Sequence, residues 1–269
     1  MLAALSLKGG VGKTSVVLGL AGAAADHNLR TLVVDLDPQA NATSALDPAS
    51  TPFTSSDVLF DARRGVAREA LVRSGWSDQI WLLPSERALE HRSAHASESS
   101  VHRLRRALDG VTNDFDVVLI DCPPSLGELT RNALFAADVA LVVTEPSFFA
   151  VTAAQQALEA VALVHDHGNS DLHAGGIVAN RVRPTLTEHT YRMDELRAAY
   201  GTLVLGSLPD RSAIQQAQGA CIPVQRWQSN GATDAVRAFD ALLRRLFATH
   251  LPPTRPTSLG VESILGGGQ

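Results

Sequence analysis

Lysine is almost missing from this chain of 269 residues. Of its 23 basic residues, 21 are arginine, and the only two lysines, Lys8 and Lys13, lie in one glycine-rich segment. A lysine ammonium is a compact charge on a flexible stem, and a planar guanidinium does not replace it at a tight site. We therefore expect these two lysines to have a specific chemical role.

Long apolar runs and closely spaced cysteines are missing as well. No uncharged apolar run reaches about 18 residues, which predicts that no helix spans a membrane. Cys122 and Cys221 lie far apart in the sequence and form no metal-binding spacing, so a reducing, cytoplasmic setting is expected. Met1 leads directly into a strand-like segment, and this pattern is unlike a signal peptide.

The charge of the chain is acidic overall but unevenly distributed. The formal net charge is −5, which argues against general nucleic-acid binding. Residues 1–179 carry 13 Lys and Arg against 21 Asp and Glu, whereas residues 180–269 carry 10 against 7. A basic region of this kind fits a local polyanion-binding surface, and it fits equally well ordinary variation between surface patches.

Strand-like and helix-like segments alternate along the sequence. This alternation predicts an α/β fold, in which a mostly parallel, doubly wound sheet is flanked by helices. The predicted strands are residues 1–7, 31–34, 80–83, 115–120, 139–144, 174–180 and 203–208. The predicted helices are residues 56–60, 66–73, 101–108, 149–166, 188–200 and 233–247, together with 15–25 near the start of the chain.

We expect a single domain over residues 1–250. The remaining segment, residues 251–269, is rich in proline at its start and glycine at its end. Such a composition cannot bury enough apolar surface to offset the entropy of ordering, so we predict a disordered or partner-dependent tail.

The glycine-rich segment 8–14 stands between the first strand and the first helix. Glycines there let successive backbone N–H groups converge on one concavity, and the helix behind adds the positive end of its dipole. Lys13 can then reach outer phosphate groups, and the Thr14 hydroxyl can bind magnesium. The predicted nucleotide-binding residues of this loop are Gly9, Gly10, Val11, Gly12, Lys13, Thr14 and Ser15.

Acidic side chains follow two of the predicted strands. In an open parallel sheet, ligands bind at the carboxyl ends of the strands. Asp121 ends a strongly apolar strand, where its carboxylate can hold magnesium, and Asp37 follows the strand predicted over residues 31–34. Asp35 is expected to support the loop and the metal site.

Several segments together resemble the ParA/MinD family of dimeric ATPases, and within it ParA and Soj proteins. Residues 8–14, K-G-G-V-G-K-T, are similar to that family's deviant Walker A loop. Residues 35–41, D-L-D-P-Q-A-N, resemble its first switch, and residues 117–124, V-V-L-I-D-C-P-P, resemble its Walker B strand and second switch. Asn180 and Pro209 resemble the positions that hold adenine.

The resemblance implies an ATPase that uses ATP and Mg²⁺, with Lys8, Lys13 and Asp37 acting in catalysis. In this family the aspartate at the position of Asp37 orients the attacking water. Lys8 would reach across an ATP-dependent homodimer to the partner's phosphates, and Asn180, Pro209 and Arg211 would contact the nucleotide. It further implies chromosome or plasmid partitioning on the nucleoid, with non-specific DNA binding and a ParB-like activating protein. The candidate DNA-binding residues are Arg181, Arg183, Arg192, Arg197 and Arg211.

Three alternatives remain open at this point. The protein could position a protein cargo or a membrane-associated system, as MinD proteins do, instead of DNA. The protein could be a cluster carrier or a metabolic relative, with Cys122 in an iron–sulfur cluster as in the related nitrogenase iron protein. The missing Cys-x-x-Cys argues against this, and a small buried residue is the favoured interpretation of Cys122. The basic amphipathic segment 239–247 resembles a membrane-targeting helix, but its position favours core packing.

Overall fold

The computed structural model describes residues 1–92 and 98–248. The tail predicted for residues 251–269 lies outside the described residues. Within them, no helix is long and apolar enough to cross a membrane.

A single twisted sheet of eight strands organises the described part of the chain. Its order is β3-β4-β2-β5-β1-β6-β7-β8, and all neighbours pair in parallel except β3 and β4. The strands are β1 (Leu2–Leu5), β2 (Thr31–Asp35), β3 (Val72–Arg73), β4 (Ile80–Leu83), β5 (Val117–Asp121), β6 (Val139–Thr144), β7 (His173–Val182) and β8 (Val204–Pro209).

Helices cover both faces of this sheet, so the predicted doubly wound α/β fold is confirmed. They are α1 (Lys13–Asp26), α2 (Asn41–Leu46), α3 (Ser55–Asp61), α4 (Ala67–Ala70), α5 (Leu89–Arg92), α6 (Arg103–Leu108), α7 (Glu128–Ala136), α8 (Ala150–His167), α9 (Thr187–Tyr200), α10 (Ser212–Gly219) and α11 (Asn230–Leu246). Short 3₁₀ turns lie at Glu98–His102, Thr112–Asp114, Gly201–Leu203 and Val224–Arg226.

The central strands are buried on both faces, which explains their unbroken apolar sequences. Every residue of β1, β2 and β5 is buried. Because β1 lies between β5 and β6, the loop that leaves β1 is at the middle of the carboxyl edge of the sheet. This position brings the ends of β2, β5, β6 and β7 around it.

Helix α11 packs against α1 and so has the core role favoured for residues 239–247. Phe239, Leu242 and Leu243 are buried on its inner face. The Phe239 ring lies so close to Gly19 of α1 that a Cβ atom there would come within 2.2 Å of it. Any larger residue than glycine would therefore separate the two helices.

The structure corrects two local predictions. The helix predicted over 66–73 ends at Ala70, and the chain continues as the edge strand β3, where Val72 pairs with Leu82 and Arg73 with Trp81. Cross-strand packing outweighs helical propensity there, with the Arg73 guanidinium 4.6 Å from the centre of the Trp81 ring. The sequence analysis also missed α2, α5, α7 and α10, which are short or contain few large apolar residues.

Candidate nucleotide-binding site

The loop between β1 and α1 adopts the backbone shape that its glycines allow. Gly10 and Gly12 have φ values of 83° and 84°, in the left-handed region that L side chains rarely adopt. No atom lies within 4 Å of the position of a Cβ at Gly10, so a concavity is left open there. At Gly12 such a Cβ would lie 2.4 Å from Nδ2 of Asn180.

Asn180, at the end of β7, holds this loop in place. Its side-chain amide donates to the backbone carbonyl of Val11 at 2.8 Å and to that of Gly12 at 3.4 Å. The contact joins residues 169 positions apart in the chain. Asn180, predicted as an adenine contact, therefore also has a structural function in fixing the shape of the loop.

Lys13 and Thr14 begin α1, where the free backbone N–H groups and the helix dipole favour an anion. Only 6% of Lys13 is exposed, and the residue lines a cavity of about 640 Å³. The cavity is lined by Gly10, Gly12, Lys13, Thr14, Ser15, Leu18, Asp37, Gln39, Asn41, Ser44, Ala45, Pro124, Arg181, Gln218, Gly219 and Cys221. Five of the seven predicted loop residues thus border a space in which a phosphate chain fits, whereas Gly9 and Val11 do not line it.

The loop after β2 is supported by Asp35. Its fully buried carboxylate accepts hydrogen bonds from the backbone N–H of Thr43 at 2.9 Å, the Thr43 hydroxyl at 2.7 Å and the backbone N–H of Asp37 at 3.0 Å. Burial raises the pKa of Asp35, and these hydrogen bonds oppose the shift. Asp35 therefore supports the loop, as the sequence predicted, and its part in the metal site stays a prediction.

Asp37 lies beside the cavity, held by this supported loop. Its Oδ1 accepts from the backbone N–H of Gln39 at 2.9 Å, and 7% of the residue is exposed. Its backbone carbonyl accepts from the Ser85 hydroxyl at 2.8 Å. The side chain also borders a second cavity of about 280 Å³, which reaches Glu128 and Leu129.

Asp121 ends β5 with an unusual carboxylate. The residue is fully buried, and neither carboxylate oxygen has a hydrogen-bond partner in the described residues. Burial, and then the negative charge of Asp35, raise the pKa of Asp121, while Thr14 and Lys13 act in the opposite direction. The nearby Thr14 hydroxyl and Lys13 charge thus offset only part of the cost of burial, and a magnesium ion, or a water bound to it, would satisfy this carboxylate.

The described residues contain no group of three or more His, Cys, Asp or Glu that could hold a metal ion. A magnesium ion here would depend on Thr14, Asp121 and the oxygens of a phosphate chain. Magnesium commonly uses one or two protein groups together with substrate phosphates and water, so the residues present fit this ion.

Lys8 takes a different position from Lys13. Its Nζ donates to Oε1 of Glu145, the residue directly after β6, and 47% of its side chain is exposed. The Ser6 hydroxyl contacts the backbone N–H and carbonyl of Lys8 at 3.2 Å and shapes this part of the loop. Lys8 does not line the 640 Å³ cavity.

Other predicted site residues also lie outside the lining of this cavity. The Val11 side chain is buried in the core. Pro209 ends β8, and the Arg211 guanidinium forms an ion pair with Asp234 at 2.8 Å. The Cys122 thiol is free and fully buried, and this burial raises its pKa.

The sequence analysis did not predict one part of the cavity, the wall formed by α2 and the end of α10. Gln218 and Gly219 end α10 and Cys221 lies in the turn that follows it; Gln218 Oε1 accepts from the Ser15 hydroxyl at 3.2 Å. These residues match no phosphate-binding pattern, and they reach the site only because α10 packs beside α1.

The candidate DNA-binding arginines lie in different surroundings. Arg183 pairs with Asp210, and Arg197 with Asp194. Arg192 pairs with both Glu188 and Glu195, and only 14% of its side chain is exposed. Arg181, in contrast, lines the cavity described above.

Comparisons with known proteins agree with this geometry. A model of the AAA domain matches residues 1–174. The sporulation initiation inhibitor protein Soj of Bacillus subtilis is 34% identical over 182 residues, which are 66% of this chain and 71% of Soj. The chain belongs to the ParA/Soj family. The chromosome partitioning protein ParA of Myxococcus xanthus is 34% identical over 175 residues, 64% of this chain and 61% of that ParA.

A solved structure resembles the chain over nearly its whole length. It is described as cobyrinic acid a,c-diamide synthase from Mycobacterium smegmatis, with a bound ATP analogue and magnesium. It is 31% identical, has a TM-score of 0.75, and the match covers 95% of this chain and 98% of the other. The predicted ParA/Soj membership and phosphate-loop fold are therefore both confirmed.

Proposed function

We propose that this ParA/Soj family member is an ATPase that dimerises with ATP, binds DNA without sequence preference and acts in chromosome or plasmid partitioning. ATP and Mg²⁺ are its ligands, and a ParB-like protein stimulates hydrolysis. The ATPase unit spans residues 1–250, and residues 251–269 form a tail outside it. The proposed place of action is the nucleoid in the cytoplasm.

The residues at the carboxyl edge of the sheet have different roles in phosphoryl transfer to water. Lys13 and the N–H groups that begin α1 bind the outer phosphates, while Thr14 and Asp121 hold the metal. Magnesium, when bound, neutralises charge that develops on the phosphate oxygens. Asp37 is fixed by Asp35 and Gln39 beside the cavity, where it orients the attacking water.

One observation carries the dimer proposal: the two lysines of one loop have separate surroundings. Lys13 is buried at the cavity wall, whereas Lys8 is half-exposed and bonded to Glu145. Because Lys8 does not line the cavity of its own chain, it can contact the nucleotide of a second molecule, as the family's deviant loop implies. ATP would then be enclosed between two copies of the chain.

This arrangement also supports slow hydrolysis by the protein alone. A site that receives one of its cations only from a partner copy is incomplete in the monomer. Charge neutralisation contributes most of the catalysis in phosphoryl transfer, so turnover is limited until the dimer forms. A ParB-like protein would act on the assembled dimer.

The proposed DNA-binding surface rests on the arginines beyond β7. The side chains of Arg183 and Arg197 are 60% and 57% exposed, and that of Arg211 is 37% exposed. Each has an acidic partner, but one carboxylate leaves several of the five guanidinium N–H donors free for phosphate oxygens. Arg192, which holds two carboxylates, is a weaker candidate on this surface.

A gel-shift experiment with non-specific duplex DNA tests the proposal. We expect retardation with ATP and Mg²⁺, and none with ADP or without nucleotide. The Lys13→Ala variant should not shift DNA under any condition, because it no longer binds ATP. ATP binding without DNA binding at low salt would instead favour the alternative, a ParA-like ATPase that positions a protein cargo or a MinD-like, membrane-associated system.

A further inference from the structure

A β-bulge near the end of β7 displaces one arginine from the regular strand. Ala179 pairs with Ser207 and Val182 with Pro209, and the register of β7 against β8 shifts between Ala179 and Val182. Inside this bulge Arg181 has a φ of 57°, in the left-handed region. Bulges beside active sites commonly turn a side chain in a new direction, and strained backbone of this kind persists where the surrounding structure fixes it.

The bulge brings Arg181 to the wall of the 640 Å³ cavity. The charged residues of that wall are Lys13, Asp37 and Arg181. Over residues 1–92 and 98–248, the Arg181 guanidinium has no hydrogen bond or ion pair, unlike the guanidinium groups of Arg183, Arg197 and Arg211. The cavity therefore contains a cation that nothing in the described structure neutralises.

We propose that Arg181 binds the phosphate chain of the nucleotide, and that it does not belong to the DNA-binding surface. This inference rests on the nucleotide-binding role proposed above and adds a second cation to it. Arg181 follows Asn180, which contacts the carbonyls of Val11 and Gly12. The backbone next to Arg181 is thus held beside the half of the loop that leads into α1.

The charges of the cavity favour phosphate over the base as the partner of Arg181. A triphosphate brings several negative charges, and Lys13 is the other cation of the wall. A guanidinium pairs with phosphate through two parallel N–H donors, a geometry that lysine does not offer. The wall formed by Gln218, Gly219 and Cys221 carries no charge and suits a neutral base.

Nucleotide titration of three variants in the full-length protein tests this assignment, with ATP and ADP as the probes. Arg181→Gln removes the charge but keeps a planar polar group, Arg181→Lys keeps the charge, and Arg181→Asn suits the left-handed backbone. We expect Arg181→Gln and Arg181→Asn to raise the Kd for both nucleotides about ten-fold or more, as for the removal of a charged hydrogen bond. Arg181→Lys should stay within a few-fold of the wild type.

The matched control is Arg73→Gln, which makes the same change on the edge strand β3 and should leave both Kd values unchanged. The melting temperatures of the nucleotide-free proteins show whether a variant binds more weakly because it has lost a contact or because it is less stably folded. Arg181→Asn should melt no lower than the wild type, since asparagine tolerates a positive φ better than arginine does.

Three results would overturn the inference. Wild-type Kd values in both Arg181→Gln and Arg181→Lys would show that the guanidinium does not contact the nucleotide. Retained affinity in Arg181→Gln together with weak binding in Arg181→Lys would indicate stacking on the base. Weaker binding that follows lower melting in all three variants would indicate a purely structural role. Failure of the wild type itself to bind ATP would count against the proposed function instead.

Discussion

Lys8 donates a hydrogen bond to Glu145 across the parallel strands β1 and β6, which place the two residues side by side although they lie 137 positions apart. The lysine is thereby held at the surface and away from the cavity that Lys13 borders. An exposed ion pair contributes only about 0.2–1 kcal/mol, so a stronger partner such as a phosphate displaces it easily. This weak ion pair is consistent with a lysine that binds the phosphates of a second molecule when the dimer forms.

We predict that Lys8→Ala folds and binds ATP but does not form the ATP-dependent dimer. Two triphosphates enclosed between two copies would lack the charge that offsets their burial. Lys8→Arg should also impair dimerisation, because the larger planar group does not fit a tight interface. Light scattering with ATP and Mg²⁺ should show the 28.5 kDa monomer for both variants and twice that mass for the wild type.

Glu145→Gln is the companion variant. It releases Lys8 without changing the size of the side chain. Because each dimer contains two such pairs, it should lower the protein concentration needed for dimers by at most about thirty-fold, the equivalent of about 2 kcal/mol. Normal dimers from Lys8→Ala would refute the role of Lys8 across the interface.

A second prediction concerns Asp37→Ala. The variant loses the group that orients water but keeps Lys13, Thr14 and the loop, so it should bind ATP and hydrolyse it at least about a hundred-fold more slowly. It should accumulate as an ATP-bound dimer in size-exclusion chromatography. Asp78→Ala, at a fully exposed position on the opposite edge of the sheet, is the control and should behave as wild type. Wild-type turnover in Asp37→Ala would remove Asp37 from the mechanism.

A third prediction is that Asp121→Asn makes the nucleotide-free protein more stable but weakens its binding of Mg²⁺. Because burial raises the pKa of Asp121 in the folded state, folding near neutral pH must return a proton to a carboxyl that is ionised in the unfolded chain, and this lowers the stability of the nucleotide-free protein. Asp121→Asn should therefore raise its free energy of unfolding by about 1–3 kcal/mol, or the melting temperature by roughly 2–10 °C. The same variant should lose the additional stabilisation that Mg²⁺ gives to the nucleotide complex.

The pH dependence of unfolding checks the cause. The folded protein binds the Asp121 proton more tightly than the unfolded chain, so stability falls as pH rises above the ordinary value of 3.8 toward the raised pKa. That part of the decline should be missing in Asp121→Asn. Asp35, whose pKa burial also raises, should still contribute its own decline. A variant less stable than the wild type at neutral pH would contradict this account.

A fourth prediction concerns DNA. Binding should require ATP, weaken steeply as salt rises, and decrease on charge reversal at Arg183 or Arg211, with the affinity for ATP unchanged. Removal of a single arginine–phosphate interaction should reduce the slope of log K against log salt by about one. Fluorescence anisotropy of labelled duplex DNA measures both the affinity and this slope.

Arg73→Glu supplies the matched control for these variants. Arg73 is 56% exposed on β3, at the opposite end of the sheet from β7 and β8, and the change in net charge is identical. Equal weakening by Arg73→Glu would mean that the DNA responds to net charge and not to a defined surface.

Much of the nucleotide site could be predicted because its parts are contiguous in sequence. The loop 8–14 needs only glycines, a preceding strand and a following helix, and these act within a few residues of one another. Asp35, Asp37 and Asp121 were found because apolar runs show where buried strands end. Helix α10 was not predicted, since it has few large apolar residues. The part of the cavity wall formed by Gln218 and Cys221 was therefore not predicted either.

The sequence by itself determined the alternation of strands and helices, the phosphate-binding loop and the acidic strand ends, since hydrophobic periodicity and glycine conformation are local properties. Only the tertiary structure decided which distant residues meet. Strand order placed Glu145 beside Lys8, and Asn180 against the carbonyls of Val11 and Gly12. A bulge turned Arg181 toward the cavity, although its sequence neighbour Arg183 pairs with Asp210. Such contacts depend on the register of neighbouring strands, which local patterns do not encode.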